Sequence, residues 1–427
     1  MILNIIEKIQ RALKSKGLFG LLKFASMRVI TMLIGFPIAL IIVAASPFIA
    51  IRLVKLFSYR IGHYAHNTEL LLCALDAKRY DKHKNYKTLF YISNYGPISN
   101  TQLHIMWKRV ITILPFALLW NQVDDFLKIM LGETYRDDPI KLIFETSSGG
   151  HDQWRFLEKN KECRLSFTVA EKNRGLSLLH KLGIEANTPF VCLLMRDSGY
   201  LKTHMPDVDW SYHNYRDVDV NNYKKVAILL AEKGYHVIRM GKFVKEKFYA
   251  DHPNIVDYSD SEFQSDFMDI YLTAHCKFMI STSCGLDSVA QIFRKPVLIT
   301  DFPLSELKTW YYWTMFIFKK VFDANNNRYL TLSEIYQQRE LFNNKTLMIK
   351  TWNENNWHFI DNSPEEIVEA TEEMIFRLQN SVDEDIYLQN QFWNNFPIEL
   401  PEGVTSYEEI KLRIGKSFLK NNQLLLN

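Results

Sequence analysis

Nine residues in the middle of the chain are of the types that hold a phosphate, and they fall at the ends of short apolar runs. They are Arg239 and Gly241, Ser265 and Asp266, then Ser281, Thr282, Ser283, Gly285 and Asp287. A hydroxyl-rich turn that opens a helix offers unpaired backbone N–H groups and the positive end of the helix dipole, which together suit a phosphate. Gly285 lets the backbone approach closely. Arginine grips phosphate bidentately and keeps its charge in a partly buried cleft, so Arg239 takes that role. Asp287, one turn into the helix, is placed to accept a hydrogen bond from a ribose or sugar hydroxyl. The plainer alternative has Ser283 capping the helix and Asp287 in solvent. The company of Arg239 and Asp266 at neighbouring strand ends favours binding, and a nucleoside diphosphate is the ligand that the set suits.

A parallel sheet is what would bring these residues together. Residues 235–240, 277–281 and 296–300 read as strands. Between them lie a helix capped by Ser265 and another from Gly285 to Arg294, with the apolar period switching from 2 to 3.6. That order predicts a doubly wound α/β sheet, whose ligands sit at the carboxyl ends of the strands.

Several segments carry a family resemblance: Arg196-Asp197-Ser198-Gly199-Tyr200, Tyr215-Arg216-Asp217, Val237-Ile238-Arg239-Met240-Gly241, Ser265-Asp266-Phe267-Met268-Asp269, Ile280-Ser281-Thr282 and Gly285-Leu286-Asp287. They resemble a family of bacterial glycosyltransferases encoded with surface-polysaccharide genes. The resemblance extends upstream to Arg60-Ile61-Gly62-His63 and Ile98-Ser99-Asn100, and downstream to Pro364-Glu365-Glu366-Ile367. It implies a GT-B fold of two Rossmann-like parallel-sheet domains facing a cleft, an acceptor half followed by a nucleotide-sugar half. The implied activity is transfer of a sugar from a nucleotide-sugar donor to a lipid-linked or saccharide acceptor in O-antigen or capsule synthesis. Rival readings are a nucleotide-sugar epimerase of the same fold and a non-catalytic, membrane-tethered scaffold that binds nucleotide sugars.

Sugar transfer with inversion needs a base for the acceptor hydroxyl and positive charge for the departing diphosphate. His63 is the first choice as base, because a Gly-His in the corresponding loop of many GT-B transferases lines the cleft. A structural histidine bonded to a carbonyl is the alternative. His66 and His104 are further candidates, and Asn100 either orients the acceptor or caps its own helix. Arg196 is assigned to the leaving phosphate and Asp197 to orienting it, or to acting as the base. A plain ion pair is the alternative for both. Neither Asp207-Val208-Asp209 nor Asp217-Val218-Asp219 closes an apolar strand, so transfer without a metal is expected and no cofactor. Trp107, Trp120, Trp310 and Trp352 are candidates for sugar stacking, though most belong in the core.

The 427 residues are long enough for two or three domains, and 47% apolar content supports sizeable cores. A net charge of +3 with dispersed Lys and Arg argues against nucleic acid. The five cysteines include no CxxC pair, which disfavours zinc and a disulfide framework.

Residues 29–51 carry no charge and are long enough to cross a hydrocarbon core. They follow a basic amphipathic helix, 1–28, and lack the features of a cleavable signal. Pro37 and Pro47 interrupt them, and positive residues flank both ends, so a spanning helix, a re-entrant hairpin and a buried core helix all stand open. The catalytic part is expected at the cytoplasmic face of the bacterial inner membrane. The acceptor-side domain is then 52–187, with strands at 52–57, 88–92 and 110–114, helices at 67–77, 101–109 and 168–182, and a polar loop over 137–164. The nucleotide-sugar domain, 188–427, opens on a strand at 190–195 and ends in a helical extension. Asp219 caps the helix through Lys233, and Ser363 with Glu366 forms a capping box.

Overall fold

The computed structural model describes residues 2–80, 86–93, 96–197, 199, 211–308, 313–380, 386–410 and 412–426. The chain divides into two compact units. The first comprises Met1–Arg60, Leu71–Ser99 and Lys108–Gly149; the second comprises Ile61–Leu70, Asn100–Trp107 and Gly150–Asn427.

The first unit holds helix α1 (Ile2–Ala45), strand β1 (Ala50–Leu56), the end of helix α2 (Ile61–Asp76), and strand β2 (Tyr86–Ile92). The end of helix α3 (Thr101–Val110), strand β3 (Ile113–Leu114) and helix α4 (Ala117–Met130) complete its main elements. Its sheet runs β1-β2-β3, all parallel. Pro37 lies inside α1 without ending it, against the expected interruption, and the six-residue stretch 46–51 after the helix already enters β1. A buried network fixes the unit: Asp124 accepts from Tyr91, Tyr135 and Lys141, and Lys141 also donates to the Leu53 carbonyl at 2.5 Å. The stretch 137–164, expected as a loop, contains a helix at Pro139–Phe144 capped by Asp138 with proline in its first turn. A second short helix follows at Phe156–Lys159.

The second unit is built on a seven-stranded, wholly parallel sheet. In chain order its elements are α5 (Val169–Lys181), β4 (Phe190–Leu194), α6 (Lys224–Glu232), β5 (His236–Arg239), β6 (Ile255–Asp257) and α7 (Asp266–His275). Then come β7 (Met279–Ser281), α8 (Gly285–Ile292), β8 (Val297–Phe302) and β9 (Thr314–Phe318). Strands β10 (Lys320–Asp323), β11 (Arg328–Tyr329) and β12 (Trp357–Ile360) form a small antiparallel sheet, followed by α9 (Pro364–Gln379) and β13 (Arg413–Ile414).

The main order is β13-β9-β8-β7-β4-β5-β6. The chain winds outward from β4 through β5 to β6, then returns to the other side of β4 as β7. That reversal is a topological switch point, where the connections leave a crevice at the carboxyl ends of β4 and β7. The expected α/β class with parallel sheets is what the structure has. The strands are near-continuous apolar runs, as a sheet covered on both faces requires; every residue of β4, β7, β8 and β9 is buried. The capping boxes at Thr168/Glu171 and Ser363/Glu366 and the Ser265 cap start α5, α9 and α7.

Candidate functional site at the switch point

The sequence between β7 and α8, Ser281-Thr282-Ser283-Cys284, has no room for a regular turn and no side-chain cap, so its hydroxyls turn to neighbours. Ser283 adopts φ +60°, and its carbonyl accepts from Arg216 Nη2 at 2.5 Å. Thr282 Oγ1 accepts from the Arg196 backbone N–H at 2.8 Å, while the Thr282 N–H donates to the Leu194 carbonyl at 3.1 Å. The two strand ends at the switch point are thereby tied together. Ser281 is buried and donates to Asp287 Oδ2 at 3.3 Å. Asp287 is buried in the first turn of α8 and not in solvent, and that burial pushes its carboxyl up to about 6.

Gly285, the first residue of α8, meets the start of α2. An added Cβ at Gly285 would stand 2.7 Å from Ile61 Cγ2, and one at Gly62 would stand 3.1 Å from the Gly285 Cα. Two glycines therefore let two helix N-termini touch within the second unit. Near the other end of α8, Glu69 of α2, itself fully buried, receives Arg294 Nη2 at 2.8 Å. His63 follows Gly62 directly, so it belongs to the first turn of α2 and not to a loop after β1. Its Nδ1 is 3.0 Å from Asn67 Oδ1. His66 Nδ1 is 2.7 Å from the Gly150 carbonyl, and burial pushes that imidazole down to about 4. His151, next to Gly150, is pushed down to about 3 by burial, with Lys308 adding to the effect.

Two arginines attend the turn. Arg196, just past β4, pairs through Nε with Asp217 at 3.2 Å and keeps 15% of its side chain exposed. Arg216 lies 3.5 Å from Glu306, whose other oxygen accepts a very short bond from Tyr215. Burial alone would raise the Glu306 carboxyl, but Arg216, Lys345 and Tyr215 hold it below its ordinary value. Arg216 and Glu306 were not singled out from the sequence as site residues; the Tyr215-Arg216-Asp217 segment was the signal for the first, and no local pattern marks the second.

The remaining expected site residues are placed elsewhere. Arg239 is fully buried, with Nη1 on Asp257 at 3.2 Å and also on Ser259, and Nη2 on the Glu246 carbonyl at 3.1 Å. Its guanidinium is committed to these partners and pins the loop after β5. Asp197 joins that clamp: it accepts from the Gly199 and Lys245 N–H groups and lies 3.8 Å from Arg239. Gly241 has φ +157°, and an added Cβ would meet Val244 at 2.6 Å. Ser265 caps α7 through the Met268 N–H. Asp266 receives Lys242 Nζ at 2.7 Å and the Thr101 N–H and hydroxyl at 2.7 and 2.8 Å.

Asn100 caps its own helix at Leu103 N and donates to the Asp266 carbonyl, and His104 Nδ1 is 2.6 Å from Tyr64 Oη. Trp107 and Trp352 are core residues, whereas Trp310, Ser198, Tyr200 and Asp207-Val208-Asp209 lie outside the described residues. Asp217 of the second DxD pairs with Arg196, and Asp219 caps the short turn Val220–Tyr223. Among the described residues no group of three or more His, Cys, Asp or Glu side chains is placed to hold a metal ion.

No protein-family model matches the chain, and neither does any curated protein. Among solved structures it is similar to the ADP-heptose LPS heptosyltransferase II of E. coli, at 12% identity and a TM-score of 0.39, over 77% of this chain and 100% of that one. A glycosyl transferase family 9 protein of Veillonella parvula matches at 9% identity and a TM-score of 0.34, over 58% and 79%. The E. coli heptosyltransferase WaaC with ADP matches at 12% identity and a TM-score of 0.31, over 70% and 99%.

Proposed function

We propose that the chain is a glycosyltransferase of GT-B type that uses a nucleotide-sugar donor and a lipid-linked or saccharide acceptor in cell-envelope polysaccharide synthesis. It works at the cytoplasmic face of the inner membrane and needs no metal. The observation that carries this reading is the junction of Gly62, the residue before His63, with Gly285 at the end of a hydroxyl turn that Arg196 and Arg216 both bond at the switch point.

The donor diphosphate lies at the N-terminus of α8, where backbone N–H groups and the helix dipole receive it. Arg196 and Arg216 offset the charge that grows on the departing diphosphate. His63 takes the proton of the attacking acceptor hydroxyl, the C–O bond to the donor sugar breaks, and the electron pair leaves with the diphosphate. Asp197 and Arg239, expected at the chemistry, serve instead to hold the loop after β5.

The test is a thermal-shift panel of nucleoside diphosphates and nucleotide sugars on the purified full chain, with and without EDTA. One nucleotide at about a hundredfold excess over its Kd adds about 2.7 kcal/mol of stability. The gain is expected to survive EDTA and to vanish in Arg196→Ala. No gain with any nucleotide on a folded protein would sink the proposal.

A further inference from the structure

Helix α1 contains a 21-residue apolar segment, Ala25–Ala45, with a mean hydropathy of 2.3 and only 17% of its most apolar window buried. The buried part is one face. Gly35 packs on Leu119, Gln122 and Val123 of α4, Phe36 meets Phe126 edge-on at 5.5 Å, and Ala39 and Ile42 share a core cluster with Val123, Leu127 and Leu53 of β1. The opposite face carries Val29, Ile30, Leu33, Leu40 and Ile41, all exposed, Leu33 by 72%.

A membrane-crossing reading does not fit this packing. Ala39 and Ile42 pack on α4 and β1 while Leu40 and Ile41 stay exposed, so a crossing α1 would carry α4 and the start of β1 with it into a hydrocarbon core about 30 Å thick. The partner helix α4 also carries Asp125, with 45% of its side chain exposed, which a crossing α1 would draw into hydrocarbon. Moreover, α4 opens on Phe116 in the left-handed region, φ 60°, with 77% of the residue exposed. A bulky side chain is thus held mostly outward on a strained backbone. Ile129, at the far end of α4, is 75% exposed. The charge of the helix supplies the remaining term: before Val29 it has six basic residues, Lys8, Arg11, Lys14, Lys16, Lys23 and Arg28, against one acid, Glu7.

We infer that α1 lies in the plane of the membrane, its outward apolar face in the headgroup region of an anionic bilayer and α4 packed on its protein side. This inference rests on the membrane attachment of the proposed function but not on the transfer chemistry, and its readouts need no turnover. The full-length protein is floated with vesicles of phosphatidylethanolamine and phosphatidylglycerol, and membranes of expressing cells are washed with alkaline carbonate. Flotation with these vesicles is expected, weakened about tenfold or more in Leu33→Asp/Ile41→Asp, whose side chains point away from the core and leave the melting temperature unchanged. Release into carbonate is expected as well. Retention after carbonate, with Ser26→Cys labelled from outside intact spheroplasts by an impermeant maleimide, would establish a crossing helix and overturn the inference. A detergent-free dimer that does not float would overturn it too, by showing that a second copy of the chain covers the face.

Discussion

Asn67 Oδ1 lies 3.0 Å from His63 Nδ1, and a proton on Nδ1 donated to that oxygen leaves the ring's basic lone pair on Nε2. That tautomer is the one a general base needs. In the proposed transfer this makes Asn67 a positioning residue one turn further along α2. The division of labour with Arg196 can be read kinetically. His63→Ala is expected to lower kcat by about 100-fold or more while leaving the nucleotide's thermal shift intact. Arg196→Ala is expected to remove the shift along with the activity, since the proposed donor site has it holding the diphosphate in ground and transition states alike. Release of nucleoside diphosphate, assayed with isolated membranes as acceptor source, gives the rate. A His63→Ala enzyme with normal kcat would take the base assignment away from this residue.

At the scale of elements, the junction of α2 and α8 tolerates glycine and little else. Gly285→Val would place a branched side chain where a single Cβ already comes 2.7 Å from Ile61 and close to the Gly62 backbone. The two helix starts would have to part, and donor binding is expected to fall with them even where the fold survives. Arg239→Met predicts the reverse pattern. It leaves Asp257 largely buried without its charge partner, a loss of about 3–5 kcal/mol, read as a lower midpoint in urea with the donor site otherwise intact.

These two positions also show what a sequence can reveal. The strands around Ser281–Gly285, their parallel order and the capped helices follow from apolar period and cap residues. The start of α2 was misplaced because its N-cap, Arg60, makes no side-chain bond, while Asn67 offers a false start signal and is in fact committed to His63. Arg239 was correctly put at a strand end. Yet which way it faces depends on Asp257, 18 residues on, and on the Glu246 carbonyl, and no local pattern records such partners. Short helices such as Pro139–Phe144 give too few residues for a period, though the Asp138-Pro139 pair was a readable start.

At the scale of the whole molecule, the buried titratable groups set opposing responses to acid. Burial raises the carboxyls of Asp269 to about 7 and of Asp287 and Asp301 to about 6. The folded state holds protons on them that the unfolded chain has lost, so their contribution to stability grows as pH falls from 7 toward 4. His66 and His151 work the other way. In the unfolded chain they protonate near 6.5, whereas in the fold burial keeps them neutral down to about 4 and about 3. Above pH 6.5 they cost nothing; below it the unfolded state gains protons that the folded state refuses, and stability is lost until the folded values are reached. Net acid sensitivity is a difference between these groups, so a single variant isolates one of them. His66→Gln keeps a donor for the Gly150 carbonyl and removes the titration. Relative to wild type its stability is expected to improve by about 2 kcal/mol between about pH 7.5 and about pH 5, the linkage value of 1.5 pH units. Parallel stability curves for the two proteins would mean that water reaches His66 and that the α2 start is not packed against Gly150 in solution.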